Sequence, residues 1–429
     1  MVDSFSVAAL QLQAHDHDAF TESVDSILEA TRRAAADSDL VVLPEATFPA
    51  YVLGDRSIDD AAVNEAIARV REIAERSRTV IVVGAAAHAD GALRNAALVI
   101  DADGSLAGRA DKLFLWHFDR RWFTAGEHIE PIPTAIGALG VLICADGRLP
   151  TIARELVDRG AQALIMPTAW VTSGRDPDAL ENVQADLLAR VRAYENGVPF
   201  VAANKCGAEL GMVAYCGKSQ VIDARGEVIA IASQRDPQTL RASVAAGAPR
   251  PHRAAAASPS PRDAVMRSVR LAVSFEPLPG NIDQRLRMLD DEYALAPDDG
   301  ARLAALDLDV PTVAASDELV LDPAGLVGYR RAGYALVVWT TGIGPPWCER
   351  LARARALELR CYVVVFDESA RRAFAVDPDG AVVAGTFDGF RLASFGFDGR
   401  KTSETSVAPA TDVREGLERT ARIVEHARG

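Results

Sequence analysis

Lysine is nearly missing from this chain of 429 residues. Only Lys112, Lys205, Lys218 and Lys401 occur among 46 basic residues, and all the others are Arg. Where a sequence prefers Arg so consistently, a position that keeps Lys is a candidate for work that needs an amine, and Lys112 is the first of these. Positive charge is scarce overall. The formal net charge of −14 would repel a polyanion, which argues against nucleic acid as a partner. Cysteine is sparse too, with five residues at irregular spacing and no CxxC pair. An odd number without a framework excludes a disulfide scaffold and suits a reducing compartment. No apolar run reaches the length that spans a bilayer, and the opening MVDSFSVAALQLQ has no basic stretch of the kind that begins a secretory leader. These absences lead to the expectation of a cytoplasmic protein without a membrane partner.

What the chain does have is apolar residues, 49% of the total, in short runs. Strands are expected at 5–13, 40–43, 79–84, 96–101, 106–114, 139–143, 163–166, 200–203, 219–223 and 228–231, and helices at 19–36, 61–76, 150–160 and 180–196. That alternation predicts an α/β domain with a mixed, buried sheet. Residues 1–245 read as one domain. Residues 246–262, within the aperiodic Ala-, Pro- and Ser-rich stretch ASVAAGAPRPHRAAAASPSPR, read as a linker. Residues 263–429 follow and close on an amphipathic helix at 412–426.

This second part looks like a worn copy of the first. VRLAVSFEPLPGNIDQRLRMLDDEYALA from Val269 echoes the opening strand and helix. GYALVVWTTG from Gly333 echoes GAQALIMPTAW from Gly160, and LARARALELRCYVVVFD from Leu351 echoes LARVRAYENGVPFVAAN from Leu188. FAVDPDGAVVAG from Phe374 echoes SQVIDARGEVIAI from Ser219, and the order is kept. The plain alternative is that α/β patterning looks alike everywhere. The copy has no Cys at the corresponding place before GYALVV and no Lys before Lys401, so no second active site is expected.

The stretch LGVLICADGRLPTIARELVDRG organises the first part. Its apolar run ends at Cys144, passes a polar turn and enters a helix at Pro150 and Thr151. A Cys between a strand and a helix start lies near backbone N–H groups and the positive end of a helix dipole, which favours the thiolate. A packed structural Cys fits this stretch alone equally well. Two other reactive residues also follow apolar strands: Glu45 in VVLPEATFPAY and Lys112 in GRADKLFLW. Parallel neighbours would bring all three to one rim of a sheet, where α/β sites usually lie. Their chemistry is complementary. A thiolate attacks a carbonyl or nitrile carbon, a carboxylate takes the thiol proton and returns it to a leaving amine, and an ammonium stabilises the oxyanion with the backbone N–H of Ala145.

With PEATFPAY, RADK, RRWFTAGE, ICADGRLP, GAQALIMPTAW, RVRAYENGVPFVAANKCG and GKSQVIDARGEVIA in this order, the chain over about 2–232 resembles the carbon–nitrogen hydrolase, or nitrilase, superfamily. The resemblance implies an αββα sandwich and a Glu45–Lys112–Cys144 triad. It implies no metal and no organic cofactor, and amide hydrolysis through a covalent thioester. The family usually has a second Glu before the FTxG turn; here that place falls on Asp119, with Glu127 as the rival, and either would orient Lys112. Arg148 is a candidate for a substrate carboxylate, as Arg near the nucleophile is in relatives that cleave N-carbamoyl amino acids; a structural pairing with Asp146 competes. Trp116, His117, Phe118 and Trp170 are candidates for lining the pocket. Glu195 and Asn196 match a structural helix-end motif. Cys206 and Cys216 read as packed thiols, with no zinc spacing around them.

The expected activity is cysteine-dependent hydrolysis of a non-peptide C–N bond in a small linear amide or N-carbamoyl compound. Ammonia or an amine is released. Nitrile chemistry fits less well, since true nitrilases tend to have Trp then Glu after the nucleophile and this chain has Ala145 and Asp146. An acyltransferase is another use of the same acyl-enzyme. A silent binding or regulatory protein is a third reading, against which the intact triad argues. Sandwiches of the resembled family commonly pair through helical faces, so the degenerate copy, residues 263–429, is expected to act as a built-in partner. The result would be an intramolecular pseudo-dimer, with homo-oligomerisation left open.

Overall fold

The computed structural model of the chain describes residues 4–172, 179–251, 259–263, 268–275, 293–295, 310–387 and 393–428. They form two compact units. The first comprises Met1–Pro251 together with Ala408–Thr411 and Arg419–Gly429; the second comprises His252–Val407 and Asp412–Glu418.

In the first unit the apolar runs become strands β1 (Ser4–Gln13), β2 (Leu40–Val42), β3 (Val80–Ala89), β4 (Ala92–Ile100) and β5 (Leu106–Asp111). β1, β2 and β3 are parallel neighbours, and β4 and β5 continue antiparallel. A second sheet contains β6 (Ile132–Thr134), β7 (Gly137–Val141), β8 (Ala163–Pro167), β9 (Phe200–Ala203), β12 (Gln220–Ile222) and β13 (Val228–Ile231). Its order is β13-β12-β9-β8-β7-β6, with β7, β8 and β9 parallel. Helices α1 (Phe20–Ala35) and α2 (Asp60–Ser77) cover the first sheet; Phe20, Ile27 and Leu28 on α1 and Val63, Val70 and Ile73 on α2 enter its core at helical spacing. Helices α3 (Pro150–Asp158) and α4 (Ala189–Asn196) lie on the second sheet, and the two sheets meet through β1, β2, β3, β8 and β9. The layers therefore run helix, sheet, sheet, helix.

The elements depart from the sequence expectation in four places. β5 ends at Asp111, so Lys112 opens a loop. Only Ala189–Asn196 of the helix expected at 180–196 is α-helical, after a wider turn at Gln184–Leu188. β10 (Lys205–Glu209) and β11 (Val213–Cys216) form an unforeseen hairpin beside β1. Finally, the aperiodic stretch that opens at Ala242 begins inside a strand, which ends just before the linker read at 246–262. β14 (Gln238–Ala245) pairs antiparallel with β1 from Ser4 to Gln11, its leucine and valine hidden among polar residues.

The second unit is sheet-rich. β15 (Ser268–Val273) is parallel to β16 (Tyr293–Leu295) and antiparallel to β22 (Ala393–Asp398). A further sheet has the order β17 (Thr312–Ala315), β18 (Leu336–Thr341), β19 (Tyr362–Asp367), β20 (Arg372–Val376), β21 (Val382–Gly385). Helices α5 (Asp317–Leu321) and α6 (Pro323–Arg331) stand between β17 and β18, and α7 (Trp347–Leu359) between β18 and β19. The helix expected after Val273 falls at 276–292, outside the described residues. The C-terminal amphipathic helix is α9 (Val413–Arg428), following the short α8 (Gly399–Ser403). Among the described residues no helix is long and apolar enough to cross a membrane.

Candidate active site

Glu45, Lys112 and Cys144 each leave the carboxyl end of a strand, but from two sheets and not from neighbours in one. Glu45 follows β2, Lys112 follows β5 and Cys144 follows β7. The Glu45 N–H donates to Thr168 O across the seam of the two sheets at 3.3 Å. Gly84 on β3 makes room for the Glu45 turn: a Cβ there would sit 2.6 Å from the Glu45 Cα. Asn95 on β4 bridges the gap between β2 and β5. Its Nδ2 donates to Glu45 Oε1 at 2.7 Å, and its backbone oxygen accepts the Lys112 N–H at 2.8 Å.

The Lys112 ammonium lies 2.7 Å from Glu45 Oε1 and 2.5 Å from Asp119 Oδ2, and all three side chains are fully buried. Burial alone would depress Lys112. The charges of Asp119 and Glu45 outweigh it and hold the ammonium well above its ordinary value. Asp119, not the exposed Glu127, is therefore the second acid that meets Lys112. Glu45 Oε2 has no hydrogen-bond partner although it is buried.

Cys144 has φ +45°, a strained setting for a side chain with a Cβ, and is nearly buried. The expectation of a favoured thiolate is corrected here. Burial, followed by the Glu45 charge, pushes the thiol up to about 12, while Lys112, Thr168 and the Ala169 N–H pull less strongly the other way. A helix dipole offsets little, because a turn of 3₁₀ geometry, Cys144–Arg148, separates the thiol from α3. At neutral pH the side chain is a thiol.

Asp146 does not pair with Arg148. Its Oδ1 accepts the N–H groups of Leu113 and Phe114 at 3.0 and 2.7 Å, and its Oδ2 accepts that of Ile143 at 2.9 Å. One carboxylate thus ties the Lys112 loop to the strand that delivers Cys144. Burial raises it to about 7 against those donors. Arg148 lies over the Trp116 ring, 4.5 Å from its centroid. Its Nε is without a partner, and no described carboxylate forms an ion pair with it. Burial lowers it to about 10, countered by the nearby Cys144; a guanidinium so placed is still charged at neutral pH.

His117, also at positive φ, contacts Phe118 edge-on, and Phe118 packs against Tyr51 and Trp122. Trp170 is buried with Nε1 unpartnered, and its N–H donates to Asn204 Oδ1 at 2.8 Å. Glu195 pairs with Arg192, whose Nε donates to Gly147 O at 3.1 Å and braces the turn after the cysteine. Asn196 donates to Arg192 O within the same helix. Cys206 and Cys216 are buried opposite each other on β10 and β11 as free thiols.

A second buried pair was missed. Lys205 Nζ meets Glu209 Oε1 at 2.7 Å and donates to Ala46 O at 3.1 Å, while Glu209 Oε2 accepts the Val52 N–H at 2.7 Å. The pair braces both ends of the loop that starts at Glu45. The scarcity of lysine that singled out Lys112 was a usable signal for Lys205 as well.

This four-layered α/β unit, with a buried acid, amine and thiol near the seam of its sheets, has the arrangement that the resemblance to the carbon–nitrogen hydrolases implied. Residues 6–251 match the family model of that description, and the chain belongs to this family. It is 34% identical over 204 residues to a protein of Pseudomonas protegens described as a hydrolase in the pqqF 5' region, covering 46% of this chain and 69% of that one. It is 27% identical over 254 residues to the N-carbamoylputrescine amidase of Oryza sativa, covering 55% and 84%. Among solved structures it resembles a mutant of the amidase from Nesterenkonia sp. AN1 with a TM-score of 0.51 and 25% identity, covering 56% of this chain and 90% of the other. That amidase carries the acetamide moiety of fluoroacetamide covalently added at its active-site cysteine.

Proposed function

We propose that the protein hydrolyses the C–N bond of a small linear amide or N-carbamoyl compound through a covalent thioester on Cys144. The observation that carries this reading is the buried, unpartnered Glu45 Oε2, with Lys112 Nζ 2.7 Å from the other oxygen of the same carboxylate and the Glu45 charge acting on the buried Cys144 thiol. As Cys144 Sγ attacks the carbonyl carbon, its proton passes to Glu45. The oxyanion is held by the Lys112 ammonium and the Ala145 N–H. Glu45 then protonates the leaving nitrogen, ammonia or amine departs, and water, deprotonated by Glu45, opens the thioester. Asp119 keeps Lys112 charged and aimed. Lys112→Arg tests the ammonium's role. A planar guanidinium does not reproduce the compact point donor that meets Glu45 and Asp119, and losing such a donor costs about 100- to 1,000-fold in kcat. Retention of more than a tenth of wild-type kcat counts against the assignment.

Arg148 supports a narrower substrate class, an amide or carbamoyl compound that carries a carboxylate. A half-buried guanidinium with no ion partner among the described residues is costly in the free enzyme and is compensated when an anion arrives. His117, Phe118 and Trp170 are the other residues proposed to contact the substrate. The test is ammonia release from a panel of primary amides, N-carbamoyl amino acids and nitriles. Carboxylate-bearing amides or carbamoyl compounds should be turned over best, and Arg148→Gln should cost them about 10- to 100-fold in kcat/KM, the worth of a hydrogen bond to a charged group, while neutral amides change little. Equal losses for both would remove Arg148 from recognition.

The second unit is proposed to be a degenerate, non-catalytic copy of the fold. Its sheet from β17 to β21 has the same succession of parallel and antiparallel pairs as β7, β8, β9, β12 and β13. Buried Arg355 and Glu358 on α7 repeat the spacing and pairing of Arg192 and Glu195 on α4. Gly333 and Gly160, heading corresponding strands, share a positive φ of 96° and 104°.

A further inference from the structure

The loop that opens at Lys112 also contains Trp116, His117 and Asp119, and it closes where the Gly126 N–H donates to Lys112 O at 2.8 Å. Its ends and its strained turn are held by residues from the far end of the chain. Arg419 Nη1 donates to Leu113 O at 2.7 Å and its Nη2 donates to Gly126 O, so one guanidinium spans both ends of the loop. Thr411 Oγ1 accepts the His117 N–H at 2.7 Å, at the residue whose φ is +45°. The neighbouring Thr420 hydroxyl lies 3.2 Å from that of Thr151 on α3. Thr411 and Arg419–Gly429 belong to the first compact unit, although the family match ends at residue 251.

We infer that Thr411 and Arg419 are positioning residues of the catalytic unit, holding the loop that aims Lys112 and Asp119 at the reacting carbonyl. Asp146 secures the same loop from the nucleophile's side, through the N–H groups of Leu113 and Phe114; Arg419 secures it through the carbonyls. Burial holds Arg419 below its ordinary value, and the carboxylates of Glu127 and Asp146 counter only part of that. A planar, bidentate donor suits two carbonyls held apart by a closed loop. The consequence is that residues outside the stretch that defines the family set the geometry of its oxyanion donor.

The inference rests on Lys112 acting as that donor, so the test has one readout that does not need turnover. In the full-length protein, Arg419→Ala should raise amide exchange across 113–126 by about tenfold, as local opening becomes easier. It should also lower kcat about 10- to 100-fold with KM little changed, since a displacement of about 1 Å costs up to about 10². Arg419→Lys, which can reach one carbonyl, should restore part of kcat. Thr411→Val, a milder change that leaves Arg419 in place, should raise exchange at His117 and lower kcat less. Faster loop exchange with kcat unchanged would overturn the inference, and so would a loss of kcat that tracks loss of the fold and is not rescued by Lys. If the wild-type protein turns over no amide, the proposed function falls separately; unchanged exchange in Arg419→Ala and Thr411→Val would then overturn this inference by itself.

Discussion

Cys144→Ala is expected to lower kcat by about 10⁴-fold or more, into the range found when the nucleophile of a triad is removed, with the fold retained. The change deletes one buried sulfur from a turn braced by other residues. The Asp146 carboxylate still holds Leu113, Phe114 and Ile143, and Arg192 still reaches Gly147 O. Loss of one heavy atom from the core costs about 1 kcal/mol or a little more, so the melting temperature should move by a few degrees at most. The variant also tests the second unit. Cys348 and Cys361 there are buried. Cys348 Sγ lies 3.4 Å from Asp367 and 3.6 Å from Arg372, a pairing without a lysine. Turnover above about a hundredth of wild type in Cys144→Ala would place a nucleophile elsewhere and end the reading of that unit as silent. Mass mapping after chloroacetamide should show wild-type label concentrated at Cys144.

The three reactive residues were legible because each follows an apolar run, and apolar runs become strands whose ends are predictable. For the acid beside Lys112 the motif offers two candidates, Asp119 and Glu127, and the structure brings Asp119 to the ammonium and leaves Glu127 exposed. What the sequence could not express is tertiary pairing. Asp146 and Arg148 are two residues apart and of opposite sign, so an ion pair was the natural guess. Yet three backbone N–H groups from two separate segments offer the carboxylate a better fit, and the arginine turns to Trp116 instead. Asn95, Glu209, Thr411 and Arg419 act on the site from strands, hairpins and a helix far away in the chain, with no local pattern to announce them. β14 was hidden by its polar exposed face. The thiol state was misjudged for a physical reason: a dipole argument considers the nearest helix, whereas burial and the Glu45 charge dominate at Cys144.

Glu45→Gln is expected to move turnover and thiol reactivity in opposite directions. Glutamine keeps the shape and can still accept from Asn95 and Lys112, but it can neither take the thiol proton nor return it to the leaving nitrogen. Loss of a general base and acid costs about 10²- to 10⁴-fold in kcat. The thiol, however, is held up to about 12 by burial and then by the Glu45 charge, while Lys112, Thr168 and Ala169 lower it. Removing the carboxylate removes a raising influence and leaves the lowering ones, so the thiolate forms at lower pH. The midpoint of the curve of chloroacetamide labelling against pH should therefore fall, and labelling at Cys144 near pH 8 should become faster than in the wild-type protein. Turnover within tenfold of wild type would remove Glu45 as the base. A midpoint that stays or rises would mean that Glu45 does not act on the thiol through its charge, and the electrostatic account of the triad would have to be rebuilt around burial alone.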